Sequence, residues 1–305
     1  MTAATANRSS LSWYEASARQ RIEALLDAGS FKEFIGPELR EMSPHLSIFD
    51  LPAQFDDGIV IGRGRLDGSP VLAAAQEGRF MGGAFGEVHG AKLTGLLRAA
   101  RRLKQDVLIL FDTGGVRLQE ANAGELAIAE IMRAVIEARR AGVRVIGLIG
   151  GRAGCYGGGS LIAGTCSSLI VSEQGRISIS GPEVIETNKG VEEFDSRDRA
   201  LVWRTMGGKH RYLLGGADIF VDDEASAFRQ AAVEALRCTG RCDLGLLEAE
   251  QQRLERRLQR FGEASDAVAI WQAIGVDNPA DISGLPTSEF LRRAADKREH
   301  ADDAR

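Results

Sequence analysis

The chain has 305 residues, of which 44% are hydrophobic and 27% are charged, and its formal net charge is −5. That length allows one large globular domain with additions, or two small domains. The acidic balance argues against a nucleic-acid partner, and the sequence shows neither a secretory leader pattern nor an apolar run near the roughly 18 residues of a membrane-spanning helix. We therefore expect a cytoplasmic protein with no nucleic-acid and no membrane partner.

Glycine is the unusual residue, at 36 positions against 7 prolines. Because glycine permits backbone conformations and close approaches that other residues do not, this favours a site built from main-chain atoms. The four cysteines are interpreted as reduced thiols, since a chain of this length needs no disulfide framework: Cys155, Cys166, Cys238 and Cys242. Cys238 and Cys242 have no second pair near them, and we predict no metal site.

The chain divides into three predicted segments. Residues 1–56 form an N-terminal lead-in with a helix near 13–28, and they carry no catalytic motif. Residues 57–240 alternate apolar strand-like runs with segments of helical period, which is typical of βα units around a buried sheet. Residues 241–305 form a C-terminal helical extension, which we interpret as a docking segment.

The central segment shows its elements clearly. Strands are predicted at 59–66, 71–76, 107–111, 143–149, 168–171 and 177–180. A helix is predicted over 123–141, where apolar residues recur at three- and four-residue spacing. Those residues are Leu126, Ile128, Ile131, Met132, Val135 and Ile136. A short helix begins near Ser160.

The C-terminal extension is predicted to contain two helices, near 247–261 and 288–297. In the first, an apolar stripe recurs at helical spacing. Its members are Leu247, Leu254, Leu258 and Phe261.

Two glycine-rich turns each follow a buried apolar strand. Residues 112–117 (DTGGVR) follow the strand at 107–111, and residues 155–160 (CYGGGS) follow the strand at 143–149. Unpaired N–H groups that open a helix lie at the positive end of its dipole, so two of them from different turns can form an oxyanion hole. Tight turns without a ligand, or a phosphate cradle, are the alternatives. Neither turn contains G-x-G-x-x-G or G-x-x-x-x-G-K-[ST], which disfavours a nucleotide site.

Four segments together resemble the successive motifs of the carboxyltransferase beta family. They are 80–86 (FMGGAFG), 112–120 (DTGGVRLQE), 157–160 (GGGS) and 179–186 (ISGPEVIE). The order and the amino-acid sequences of the family's motifs are kept in this chain across roughly residues 57–225. The resemblance implies an α/β fold of crotonase-like (ClpP/crotonase) type, a ββα superhelix, with the carboxyltransferase domain at 57–240.

Within this family the sequence is most similar to the beta subunit of biotin-independent malonate decarboxylase. The version of the second motif found in that subunit, DTGGVRLQEAN, is present here at residues 112–122. Acetyl-CoA carboxylase relatives usually carry SGGARMQE in this motif and an N-terminal four-cysteine zinc ribbon. Residues 1–154 contain no cysteine, which disfavours that alternative. The resemblance implies a carboxy-lyase that converts malonyl-S-acyl carrier protein to acetyl-S-acyl carrier protein and CO2.

The resemblance also implies the site residues. The amides of Gly115, Val116, Gly158 and Gly159 would form the oxyanion hole that stabilises an enolate. The expected substrate-binding residues are Gly82, Gly83, Gly114, Arg117 and Gly157. A purely conformational role for Gly82 and Gly83, and bracing of the turn by Arg117, stay open as alternatives. The proton donor is left open among Glu120, Glu183, Glu186, Lys189 and His210.

The implied partners are a gamma subunit, an acyl carrier protein subunit and a transferase subunit. No cofactor is expected on this chain, because the substrate is carried on the phosphopantetheine-type prosthetic group of the acyl carrier protein. The alternatives are a carboxyltransferase beta subunit of a biotin-dependent acyl-CoA carboxylase, a non-catalytic assembly scaffold and a hydrolase. Ser160 does not favour a hydrolase, because Ile162 stands where G-x-S-x-G requires glycine.

Overall fold

A seven-stranded sheet forms the centre of the protein. The computed structural model describes residues 11–237, 242–264, 266–295 and 297–298. The strands are β1 Lys32–Phe34, β2 Ile59–Leu66, β3 Ser69–Gln76, β4 Asp106–Phe111, β5 Val145–Ile149, β6 Cys155–Tyr156, β7 Ser168–Ser172, β8 Ile177–Ser178 and β9 Ile219–Val221. The strand order in the large sheet is β1-β2-β3-β4-β5-β7-β9, while β6 and β8 form a separate two-stranded ladder.

The sheet is antiparallel at its N-terminal edge and parallel beyond it. β1, β2 and β3 pair antiparallel, and every later pairing is parallel. Asp67 and Gly68 join β2 to β3, and both have the positive φ that a tight two-residue hairpin turn requires. β4 and β5 are buried on both faces, which explains their continuous apolar sequences. The carboxyl ends of β4 and β5 therefore open at the same edge.

Helices cover both faces of the sheet. They are α1 Ala18–Leu25, α2 Glu87–Leu103, α3 Asn122–Arg140, α4 Gly158–Gly164, α5 Pro182–Lys189, α6 Arg199–Met206, α7 Gly208–Leu213, α8 Ala225–Ala235, α9 Leu244–Phe261, α10 Ala267–Ala273 and α11 Thr287–Ala294. Alternate residues of each strand face opposite sides, so Val107 packs in the core beneath α2 and α3, and Leu108 in the core beneath α1 and α8.

The N-terminal residues pack onto the same cores as the central segment. Ile22 and Leu25 of α1 are buried against the sheet, and Arg21 forms an ion pair of 2.7 Å with Asp112, with both side chains buried. The division of the chain at 56/57 stays a prediction. The structure adds that α1 anchors the first residue of the DTGG turn.

Several predicted boundaries move. The helix expected over 13–28 begins at Ala18, because Ser17 forms a capping box with Gln20. The strand expected over 177–180 covers only Ile177–Ser178. Leu126, placed on the buried stripe of α3 by its spacing, is exposed. No helix in the described part of the chain is long and apolar enough to span a membrane.

Candidate functional site

The two glycine-rich turns lie side by side. The Thr113 N–H donates to the Gly154 carbonyl at 2.8 Å, and the Tyr156 N–H donates to the Thr113 carbonyl at 2.9 Å. A Cβ on Gly157 would lie 3.2 Å from the Gly115 Cα. Because β4 and β5 are parallel neighbours, turns that are distant in the sequence meet at one edge of the sheet.

In the first turn, one amide is left without an acceptor. The Gly114 N–H donates to the Gly82 carbonyl at 2.7 Å, and the Gly115 N–H donates to Thr113 Oγ1 at 3.1 Å. The Arg117 N–H donates to the Phe85 carbonyl at 2.9 Å. Within residues 11–237, the Val116 N–H has no hydrogen-bond acceptor. Of the two amides expected here, Val116 is therefore available, and Gly115 is already engaged.

In the second turn, both expected amides are available. α4 begins at Gly158, and the Gly157 N–H donates to the carbonyls of Ser178 and Ile179 at 3.2 and 3.1 Å. The N–H groups of Gly158 and Gly159 have no acceptor among the described residues, as expected for the first turn of a helix. The start of the short α4 thus carries two unpaired donors, in the turn that packs against the first turn.

Close packing requires glycine at Gly159 in the second turn and at Gly83 behind the first turn. A Cβ on Gly159 would lie 2.4 Å from Thr113 Cγ2. Behind the first turn, Gly83 has a φ of 67°, and its Cβ would lie 1.7 Å from the Asp112 carbonyl oxygen. With the Gly82 carbonyl bonded to Gly114, Gly82 and Gly83 brace the turn, which favours their conformational role.

Arg117 lies in the interior, where it braces the first turn. Its guanidinium is buried, with ion pairs to Asp57 at 2.9 Å and Glu120 at 3.0 Å. It also donates to the Asp57 carbonyl at 2.8 Å and lies over the Phe80 ring. These internal partners favour the bracing role of Arg117, and its expected role in substrate binding stays a prediction.

The structure narrows the set of proton donors. His210 is buried, and its Nδ1 accepts a hydrogen bond from Trp271 Nε1 at 3.1 Å. Burial, together with Arg211 and Arg257, lowers the pKa of His210 to about 3, so its ring is neutral at pH 7. Neither the enclosed His210 ring nor the Glu120 carboxylate, which is held by Arg117, is positioned to donate a proton.

The remaining donors lie on α5. Glu186 accepts the Ser196 N–H at 2.8 Å, and hydrogen bonding by the Ser196 side chain, and then by this N–H, lowers the pKa of Glu186. Glu183 and Lys189 are exposed. Glu183 lies in the first turn of α5, four residues after Ile179, whose carbonyl accepts the Gly157 N–H of the second turn. Among these residues, Glu183 has the most suitable placement.

Three residues of the site were missed from the sequence. Asp57 forms an ion pair with Arg117. Asp112 forms an ion pair with Arg21 of α1 and accepts the Ala153 N–H at 2.6 Å, so Asp112 connects both turns to α1. Tyr156 directly precedes the second turn, and its buried hydroxyl has no hydrogen-bond partner in the described ranges. Asp112 could have been found from its place at the end of β4, whereas Asp57 belongs to no motif.

Large apolar side chains are exposed next to the turns. Leu118 follows the first turn and is 84% exposed. Ile179, whose carbonyl receives the Gly157 N–H, is 69% exposed, and Leu161 of α4 is 44% exposed. Exposed apolar side chains concentrated beside a polar main-chain site are typical of a surface that a partner covers.

No group of three His, Cys, Asp or Glu side chains within the described ranges is arranged to hold a metal ion. In the described ranges, Cys155 and Cys166 are buried thiols outside any disulfide, and Cys242 is a half-buried one. Cys238 lies outside the described residues.

The sequence matches the carboxyl transferase domain family over residues 15–234. The chain therefore belongs to the carboxyl transferase domain family. Its two adjoining glycine turns lie at the edge of a mixed sheet that helices cover on both faces. This confirms the expected crotonase-like α/β fold.

Within that family, the similarity to malonate decarboxylase proteins spans nearly the whole chain. The chain is 38% identical over 306 residues to malonyl-S-ACP:biotin-protein carboxyltransferase of Malonomonas rubra, covering 93% of this chain and 95% of the relative. A chain of the Pseudomonas malonate decarboxylase hetero-tetramer, solved with malonate, is 38% identical with a TM-score of 0.79, covering 88% of this chain and 99% of that chain. A chain of the Pseudomonas MdcD-MdcE hetero-dimer is 36% identical with a TM-score of 0.66, covering 86% and 100%. The protein is thus an enzyme of the malonate decarboxylase type.

Proposed function

We propose that this chain is the beta subunit of a malonate decarboxylase and that, with a gamma subunit, it decarboxylates malonyl-S-acyl carrier protein. The observation that carries the proposal is that the turn with the free Val116 amide packs against the turn with the free amides of Gly158 and Gly159, at the close contact of Gly115 with Gly157. Two such donors from different turns suit a single thioester oxygen.

The chemistry needs those donors. Cleavage of the bond between the carboxylate and the α carbon releases CO2 and leaves the electron pair as an enolate, with its charge on the thioester oxygen. The N–H groups of Val116 and Gly158 stabilise that charge as it develops, and loss of one comparable donor costs about 3 kcal/mol of transition-state stabilisation. A proton then adds to the α carbon to give the acetyl thioester. Glu183 is the proposed donor, because it begins the helix that follows Ile179, whose carbonyl accepts the Gly157 N–H.

The proposed assembly includes a gamma subunit, an acyl carrier protein and a transferase subunit in the cytoplasm. The substrate arrives on the phosphopantetheine-type group of the carrier, and this chain contributes no cofactor. Support comes from the exposed Leu118, Leu161 and Ile179 beside the turns, since a partner that covers them would also exclude water from the enolate. The similarity to a chain of a hetero-tetramer agrees with this arrangement.

A second candidate function is transfer of the malonyl carboxyl group to a biotin-carrying protein. The Malonomonas rubra relative is a malonyl-S-ACP:biotin-protein carboxyltransferase, and its similarity extends over 93% of this chain. An oxyanion hole would stabilise the same enolate in both reactions. The two functions differ in whether the carboxyl group leaves as free CO2 or is captured by biotin.

One experiment separates the two functions. The chain is co-expressed with its gamma subunit and given malonyl-S-acyl carrier protein, and CO2 release is followed with and without avidin. Release that avidin does not change supports direct decarboxylation. Release that occurs only when a biotin protein is supplied, and that avidin abolishes, supports the transfer reaction. Absence of both reactions from an assembled complex contradicts the proposed function.

A further inference from the structure

The helix α9, Leu244–Phe261, turns its apolar side chains away from the protein. Four leucines of this helix are between 40% and 72% exposed: Leu244, Leu247, Leu254 and Leu258. Scattered single leucines at a surface are normal, but four on one helix face form a continuous apolar strip.

The side of α9 that faces the protein is held mainly by polar contacts. Arg257 donates to the Leu214 carbonyl at 2.8 Å, and Arg260 donates to the Ala273 carbonyl at 3.1 Å. Arg253 is buried and bonds to Glu250 on the preceding turn at 2.6 Å. Only Phe261, at the end of the helix, buries a large aromatic side chain. The expected stripe is therefore present, but three of its four members point to solvent.

The spacing of the exposed residues is that of a helix-pairing seam. Leu244, Leu247, Leu254 and Leu258 occupy alternating three- and four-residue steps, with Gln251 at the one intervening position. Such a 3.5-residue repeat keeps one strip of a helix against one partner helix, and a single polar residue in the strip fixes the register.

The charges beside the seam disfavour a second copy of α9 as the partner. Glu248 and Glu255 are exposed along one side of the leucines. In an antiparallel pair of α9 helices, these glutamates would face each other, and in a parallel pair Glu255 would face Glu250 of the other copy. Like charges across a seam disfavour pairing, whereas lysine or arginine at those positions favours it.

The chain itself supplies no apolar cover in its undescribed segments. Residues 1–10 and 299–305 contain one large apolar side chain, Met1. We propose that α9 is a docking helix for another polypeptide of the assembly. The occupant is an amphipathic helix whose apolar strip is flanked by lysine or arginine opposite Glu248 and Glu255.

The test uses two fluorescein-labelled helical peptides as long as α9. Both carry the same leucine seam, and one has lysine and the other glutamate at the positions facing Glu248 and Glu255. Anisotropy titrations use the full chain, a Leu247→Gln/Leu258→Gln variant and the control variant Leu103→Gln, which changes an exposed leucine of α2. Sedimentation of the free chain measures self-association.

We expect the lysine peptide to bind about tenfold more tightly than the glutamate peptide at low salt, with the difference reduced at high salt. The double variant should lose binding, and the control should retain it. Equal affinities, absence of binding by either peptide, or binding that survives in the double variant would overturn the proposal. A dimer that the double variant dissociates would also overturn it, because the occupant would then be a second copy.

Discussion

Asp57 holds Arg117 at 2.9 Å in the interior, directly behind the Val116 amide, and neither side chain is more than 1% exposed. Asp57 also accepts the N–H groups of Ser43 and His89 at 3.2 and 2.9 Å. The carboxylate therefore joins the segment before β2 to α2 and to the first glycine turn. The first glycine turn is therefore held in place by buried side chains from three parts of the chain.

Removal of either partner should leave a buried charge without its counter-charge. We expect Arg117→Met to lower the free energy of unfolding by about 3–5 kcal/mol, because it leaves the buried Asp57 and Glu120 uncompensated. Urea unfolding measures this, with the exposed change Arg79→Met as the control. A loss below about 1 kcal/mol in Arg117→Met would contradict a bracing role for the ion pair.

The main-chain donor at Gly158 is tested by a matched pair of variants. Gly158→Ala and Gly158→Pro both place a Cβ near Ile128 Cδ1, 2.6 Å from its ideal position, but only proline removes the N–H. We expect kcat of the assembled enzyme to fall by about 10²–10³ in the proline variant relative to the alanine variant, with KM changed less. Equal kcat values in two folded variants would rule out this amide as an oxyanion donor.

A second matched pair tests the packing behind the turns. Gly83→Ala should be strongly destabilising, because its Cβ meets the Asp112 carbonyl and its φ is 67°. Gly164→Ala adds a Cβ with no atom within 4 Å at the end of α4, and it should change the stability by less than about 1 kcal/mol. Thermal unfolding compares the two. Similar melting temperatures would show that the turn tolerates displacement.

His210 should make the protein less stable in acid. Its folded-state pKa is about 3 against an ordinary value of 6.5, so between these pH values the unfolded chain binds more protons and stability falls as the pH falls. At pH 5 the loss from His210 is about 2 kcal/mol, since each unit of pKa difference corresponds to about 1.4 kcal/mol. Protonation would also displace the Trp271 N–H from Nδ1.

The measurement is urea unfolding at pH 7.5 and pH 5. His210→Gln keeps a hydrogen-bond acceptor without the titration, so its stability should change less between the two pH values. His89 contributes in the same direction, because burial, and then Arg117, lowers its pKa well below the usual range. An unchanged pH dependence in His210→Gln would contradict this explanation.

The sequence by itself determined much of the sheet and the identity of the turns. The strands at 59–66 and 107–111 were predicted within a residue of their observed bounds, and the second of them was recognisable because a buried parallel strand has a continuous apolar sequence. The glycines of both turns were identifiable from their place after such strands. The strands and the glycine turns could be predicted because both depend on residues that are neighbours in the sequence.

Only the tertiary structure decided which groups of the site are available. Val116 is free and Gly115 is not, because Thr113 Oγ1 accepts the Gly115 N–H. Arg117 is enclosed because Asp57, 60 residues earlier in the chain, lies beside it in the fold. The leucines of α9 point outward although their spacing is that of a buried face. A periodic pattern shows that a face is apolar, but what that face contacts depends on the packing of the whole assembly.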